Sequence, residues 1–125
     1  MKFLNMKNQK NVLDVDRITE IRDSLGSVVL AGLFERYLKE GDSLLDNLTN
    51  SEISKEPLKD VIAEVHKVAG SAAVLGTIEM HAKLQLIEIV GKSESSENIR
   101  MALNELEPVW LRTKSSLHKL GFVIS

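Results

Sequence analysis

Cysteine is absent from this 125-residue chain, and proline occurs only twice. The absence of cysteine excludes disulfides, thiolate metal sites and thiol catalysis, and it agrees with a reducing compartment. Aromatic residues make up only 4% of the chain, so we expect an aliphatic core. Alternating apolar and polar runs are scarce and no Asn-Gly or Asp-Gly hairpin turn occurs, so the sequence gives little indication of β-structure.

The chain also lacks an excess of charge of one sign and any long hydrophobic run. Its 16 Lys and Arg nearly balance 18 Asp and Glu, so no overall basic field is available and we expect no nucleic-acid partner. No apolar run approaches the roughly 20 residues that cross a bilayer, and the polar start has no signal-peptide core. We therefore expect a cytoplasmic protein without membrane association.

The residues that are present fit one globular domain. Hydrophobic residues make up 43% and charged residues 27%, as in soluble folded proteins. A chain of this length can bury a single core and is short for two. We predict a partly ordered lead-in over residues 1–13, followed by one helical domain over residues 14–125.

Helical periodicity runs through the domain. Asp14 or Asp16 is expected to cap a short leading helix. The longer predicted helices cover residues 28–48, 57–75 and 78–90, and a last one begins near residue 96.

Glycine and proline separate these segments. Gly26 is expected to end the leading helix in the position that a left-handed residue would take, Gly76 is expected to break the third predicted helix, and Gly91 is expected to close the helix before it. Pro108 should kink the last helix, because a mid-helix proline removes one backbone hydrogen bond. The pattern predicts an all-α fold, an antiparallel four-helix bundle with a short additional N-terminal helix.

Small side chains surround one histidine in the third predicted helix. The core face of this helix comprises Leu58, Val61, Val65, Val68, Ala72 and Leu75. His66 falls just beyond the edge of that face. Its neighbours one turn before and after are Ile62, Ala63, Ala69 and Gly70, with Ala73 further along.

Gly70 requires an explanation, because glycine in a helix interior costs about 1 kcal/mol relative to alanine. Either the small residues let a neighbouring helix of the same molecule pack closely, or they let an outside surface approach His66. The helix geometry favours the second interpretation, since it places Gly70 and Ala63 further from the core face than His66.

The run from His66 to Gly76, HKVAGSAAVLG, resembles the signature of histidine-containing phosphotransfer (HPt) domains. In that family a histidine is followed by an aliphatic residue two positions later, then by Gly-Ser or Gly-Ala, and a second glycine closes the helix. An aliphatic helix follows here as well, with Met80, Leu84, Ile87 and the acidic Glu88.

The resemblance implies that His66 accepts a phosphoryl group from an aspartate of one receiver domain and passes it to another. A neutral imidazole has a free nitrogen lone pair that can attack phosphorus. We expect a free-standing monomeric carrier in a multistep phosphorelay and not a self-sufficient enzyme. Its partners would be receiver domains of a hybrid sensor kinase or of response regulators. The chain itself would bind no cofactor or metal, and Mg²⁺ would belong to the receiver.

The expected docking and phosphate surroundings depart from the family at one position. Family members commonly place a lysine three residues after the histidine, where this chain has Ala69. Lys67 lies about 100° around the helix from His66, and Lys59 lies two turns away. Slower transfer or a shorter-lived phosphohistidine is therefore expected. The candidate surroundings are Lys59, Ile62, Ala63, Lys67, Ala69, Gly70 and Ala73.

Two alternatives stay open. The chain could instead be a non-catalytic interaction module that binds a signalling partner through the Gly70 face. A second apolar stripe on the following helix also needs a partner; the N-terminal segment or the short first helix could cover it, or it could be a docking or dimer surface. This stripe comprises Ile78, Ala82, Leu86 and Ile89.

Overall fold

All regular structure in the described part of the chain is α-helical, which confirms the predicted all-α class. The computed structural model describes residues 11–50, 58–93 and 96–123, without the side chains of residues 49, 50, 58, 59, 93 and 96–98. The helices are α1 (Val15–Leu25), α2 (Ser27–Asn50), α3 (Leu58–Val74), α4 (Ile78–Ser93), α5 (Ser96–Asn104) and α6 (Leu106–Lys119).

Four of these helices enclose the core. α3 packs against α2 and α4, and α6 packs against α4 and α2, so the contacts close into a ring, while α1 packs on α2. The predicted core face of α3 is confirmed from Val61 onward, because its members are at most 6% exposed. Val12 and Leu13, from the predicted lead-in, are also buried, whereas residues 1–10 lie outside the described ranges. No helix within those ranges is both long enough and apolar enough to span a membrane.

The turn between α3 and α4 fixes the end of the helix that carries His66. Gly76 has a φ of 74°, as expected for a glycine that ends a helix. The Thr77 N–H donates to the Ala72 carbonyl at 3.1 Å, a bond that closes this type of helix end. The Asp14 N–H donates to the Gly76 carbonyl at 2.7 Å, so the start of α1 is tied to the same turn.

Two sequence expectations about helix ends were wrong. Gly91 does not close a helix, because α4 continues through it to Ser93. Its role is close approach: a Cβ at Gly91 would collide with the Ile62 side chain of α3. The helix predicted over residues 28–48 also ends later than expected, since α2 continues to Asn50. Pro57, the first residue of the next predicted helix, lies outside the described residues.

The last predicted helix is two helices. The break falls at Glu105, and Pro108 lies in the first turn of α6 rather than at a mid-helix kink. In a continuous helix the ring of Pro108 would clash with the carbonyl of Asn104, and Pro108 has no N–H to donate to it. The chain avoids that conflict by ending α5 before the proline, with a tighter bond from the Glu105 N–H to the Ala102 carbonyl at 3.3 Å.

Trp110 fastens α6 to α2. The indole is 1% exposed and lies directly over Gly41, so a Cβ added at Gly41 would clash with the ring. Its Nε1–H donates to Asp42 Oδ1 at 2.8 Å, and Lys114 Nζ donates to the same oxygen at 2.8 Å. A glycine inside a helix costs about 1 kcal/mol relative to alanine, and at Gly41 the missing side chain makes room for the tryptophan.

Candidate functional site

The His66 side chain is on the outside of α3. It is 77% exposed, although the neighbouring Val65 and Val68 are at most 1% exposed and point into the core. This difference follows from the helical period, which turns adjacent residues by about 100°. An imidazole in this position is accessible to a second macromolecule.

One carboxylate contacts the ring. His66 Nδ1 lies 2.7 Å from Glu88 Oε2, and the Glu88 side chain is only 19% exposed. Glu88 belongs to α4, one residue beyond the buried Ile87, so the packing of α4 against α3 sets the position of the carboxylate. The contact orients the imidazole from one side and leaves its opposite edge toward solvent.

The contact also selects a tautomer of the neutral ring. An ionised carboxylate can only accept hydrogen bonds, so Nδ1 carries the proton and donates it to Glu88. Nε2 then holds an unshared electron pair. The same geometry becomes an ion pair when the ring is protonated. The neutral state therefore presents a nucleophilic nitrogen on the side of the ring away from Glu88.

Gly70 is not a helix-packing position. No atom of the described residues outside its own helix turn lies within 4 Å of a Cβ built at Gly70. Ala63 and Ala73 are exposed as well. The interpretation that the small residues let a neighbouring helix pack closely is therefore wrong at Gly70. The structure instead has an open surface beside His66.

The other expected surroundings divide between core and surface. Ala69 is 4% exposed and belongs to the core, so its assignment to the docking surface was wrong: a side chain enclosed in the core offers almost no surface to a partner. Ile62 is half-buried and packs against Gly91. The Lys59 side chain lies outside the described part of the chain.

Lys67 faces a different neighbour from His66. Its Nζ lies 3.5 Å from Glu40 Oε2 on α2, and its side chain is 67% exposed. His66, the residue before it, contacts α4. Lys67 is therefore held on the α2 side of α3 and is not part of the pair that His66 forms with Glu88.

The outer apolar stripe of α4 stays exposed. Ile78, Leu86 and Ile89 are 40%, 47% and 63% exposed. The short first helix packs on α2 and leaves them uncovered, so that explanation was wrong. The other suggested cover, the N-terminal segment, lies mostly outside the described residues.

Sequence reasoning did not assign Glu88 a role at the site. In the sequence it is only an acidic position after the motif, 22 residues from His66. A local pattern cannot show that these two side chains meet, because the contact depends on how α3 and α4 are aligned.

No cluster of three or more His, Asp or Glu side chains suited to a metal ion occurs within residues 11–50, 58–93 and 96–123. Comparisons with protein-family models, curated proteins and solved structures found no match to this chain.

Proposed function

We propose that this chain is a histidine phosphotransfer protein that relays a phosphoryl group between receiver-domain aspartates through a phosphohistidine at His66. One observation carries the proposal: an exposed imidazole whose Nδ1 is held by Glu88, beside a Gly70 that no side chain of the described residues covers. We further propose that the ring of packed helices is an antiparallel four-helix bundle and that the chain is a cytoplasmic monomer.

The transfer step uses the free nitrogen of the ring. The Nε2 electron pair attacks phosphorus of an aspartyl phosphate on the receiver. The Nε2–P bond forms while the P–O bond to the aspartate breaks, and the aspartate leaves as a carboxylate with the bonding pair. The return step is the reverse, with a second aspartate as the nucleophile.

Glu88 contributes to this step through Nδ1. As Nε2 gives up its electron pair, positive charge develops on the ring and is shared by the Nδ1–H group. The carboxylate 2.7 Å away stabilises that charge, because hydrogen bonds to an ionised acceptor are stronger than neutral ones. Glu88 is a positioning residue that also stabilises the positive charge that develops on the ring during the attack.

The remaining parts of the reaction are assigned to the partner. Phosphoryl transfer depends mainly on positioning and on neutralising charge on the phosphoryl oxygens. The proposal places Mg²⁺ and the acceptor aspartate on the receiver. This chain supplies the nucleophile and a surrounding surface of small side chains.

The test mixes the protein with a purified receiver domain that has been phosphorylated with radiolabelled acetyl phosphate. The wild-type chain should acquire a label that is lost in acid and retained in base, as expected for a phosphohistidine. His66→Gln should acquire none and keep its helical circular dichroism. His118→Gln, which changes an exposed histidine on α6, is the matched control and should be labelled normally. Label on His66→Gln would refute the assignment.

Glu88 can be tested separately. Glu88→Gln keeps an oxygen that can accept the Nδ1–H bond but removes the charge, so transfer should slow about fivefold, corresponding to roughly 1 kcal/mol. The ¹⁵N shifts of the His66 ring should also show loss of a single dominant tautomer, because the glutamine amide can donate to Nδ1. An unchanged rate and tautomer would exclude the proposed role.

The open face around Gly70 also supports a second function, binding of a signalling partner without phosphate chemistry. This alternative predicts that His66→Ala binds the partner as the wild type does and that the wild type takes no label. The labelling experiment therefore separates the two functions.

A further inference from the structure

A groove of about 420 Å³ lies between α2 and α3. Gly70 and Lys67 line it on α3, and Tyr37 and Glu40 line it on α2. The groove therefore flanks α3 on its α2 side, whereas the contact between His66 and Glu88 is on its α4 side. Gly70, one turn after His66, belongs to both surfaces.

The groove has an apolar floor and an apolar rim. Tyr37 and Leu75 form the floor and are 1% and 4% exposed. Leu33 and Val74 line the rim on opposite helices and are 37% and 58% exposed. Val29, one turn before Leu33, continues this edge along α2 with 48% exposure. Val29 and Leu33 therefore leave an exposed apolar edge on α2, and Val74 leaves an exposed apolar side chain on α3; the described residues do not cover them.

Two of the charged side chains around the groove pair with each other, and a third has no partner among the described residues. Glu40 accepts from Ser71 Oγ at 3.4 Å and pairs with Lys67 at 3.5 Å, so its carboxylate is occupied within the molecule. Arg36, one turn before Glu40, is exposed and has no ion pair or hydrogen bond with any described residue. The groove thus presents one uncompensated cation, although the whole chain carries a net charge of -2.

We propose that this groove receives an apolar side chain of the partner receiver domain, flanked on that partner by a carboxylate that pairs with Arg36. The inference rests on the proposed function, because it takes the partner to be the protein that reaches His66. Residues one turn apart on a helix lie about 6 Å from each other. A protein whose phosphoryl group reaches Nε2 of His66 therefore stands over Gly70 and covers the groove that Gly70 lines.

The apolar and the charged parts of the contact are tested with matched pairs of variants. Leu33→Ala shortens the rim, and Leu111→Ala makes the same change at an exposed leucine of α6. Arg36→Glu reverses the free cation, and Lys39→Glu reverses a charge on the same helix at a residue that does not line the groove. Circular dichroism of all four establishes that each is folded.

The measurement is the initial rate of label transfer from the phosphorylated receiver domain as its concentration is raised. Leu33→Ala and Arg36→Glu should each raise the half-saturating concentration about tenfold or more and leave the maximal rate unchanged, as for central contacts of a protein interface. The two controls should behave as the wild type. The wild-type half-saturating concentration should also rise with NaCl, and Arg36→Glu should lose this dependence.

The possible failures are distinguishable. If the wild type accepts label and both groove variants saturate as it does, the groove is not the docking site, while phosphotransfer by His66 stands. If the wild type accepts no label from the receiver, the proposed function fails and takes this inference with it. If sedimentation shows a dimer that Leu33→Ala dissociates, a second copy occupies the groove and the inference is overturned. Should Leu33→Ala not fold, Arg36→Glu decides alone.

Discussion

Gly70→Ala should make the isolated protein more stable and a poorer phosphotransfer partner. The structure places no atom outside the helix turn within 4 Å of the added Cβ, so the methyl group meets no described neighbour. Its effect on folding is then the difference in helix propensity alone. Its effect on transfer is the obstruction of any surface that approaches His66.

The two effects have opposite signs and can be given sizes. Replacing glycine by alanine inside a helix stabilises by about 0.5–1 kcal/mol, which raises the melting temperature of a chain of this size by roughly 2–5 °C. An extra methyl group in a well-packed contact costs about 1–3 kcal/mol. Transfer from a phosphorylated receiver should therefore slow by about 5- to 150-fold.

Thermal unfolding and the labelling assay measure the two effects on the same samples. Gly32→Ala is the matched control. Gly32 is also an exposed helical glycine, and no described residue has an atom within 4 Å of a Cβ added there, but it is on α2 and does not line the groove. It should raise the melting temperature by a similar amount and leave transfer unchanged.

Two results would refute the reasoning. A lower melting temperature for Gly70→Ala would show that the glycine serves packing within the molecule after all. Transfer at the wild-type rate would show that no partner surface comes close to Gly70. Gly41→Ala provides the contrast within α2, since its added methyl would collide with the Trp110 indole; it should destabilise by about 1–3 kcal/mol.

Further predictions concern acid stability, a buried hydroxyl pair and alkaline stability. Burial would raise the pKa of Asp42, but hydrogen bonds from Lys114 and Trp110 outweigh it and lower the pKa below its ordinary value. The stability that this carboxylate contributes is therefore present above the unfolded pKa of about 3.9 and is lost as pH falls through the pKa of Asp42 in the folded protein. In urea titrations, Asp42→Asn should lose less stability than the wild type between pH 7 and pH 3. Tyr37→Phe should cost about 1–2 kcal/mol at neutral pH, because it removes a buried 2.7 Å hydrogen bond to Thr77, and an unchanged urea midpoint would contradict this. Burial raises the pKa of Tyr37 well above its ordinary value, and the hydrogen bond with Thr77 lowers it by less. The unfolded chain therefore loses this proton first, so wild-type stability should fall as pH rises above about 10. Tyr37→Phe should lose this alkaline dependence.

Much of the helix pattern could be predicted from the sequence. The core face of α3 was predictable because a buried stripe recurs with the helical period, whatever the helix packs against. Gly26 and Gly76 have positive φ, as expected for glycines that end helices, and Asp14 caps α1 by accepting from the Arg17 N–H. Each of these features depends on a few adjacent residues.

The wrong expectations came from residues whose local and tertiary roles differ. Gly91 has the local character of a helix terminator, yet its lack of a side chain serves the close approach of Ile62. Pro108 could either kink a helix or begin one, and the sequence alone does not distinguish these outcomes. Gly41 is locally unfavourable in a helix, and only its contact with Trp110, 69 residues further along the chain, explains why a glycine is there.

By itself, the sequence determined that the chain is helical, that one face of α3 is buried, and that His66 falls beyond the edge of that face, because a helix distributes its residues at a fixed angle. Only the tertiary structure decided that Glu88 holds Nδ1, that Ala69 is covered and that Gly70 is open. These three features depend on the distance and alignment between α3 and its neighbours. That alignment results from many side chains packing at once, and no short stretch of sequence contains it.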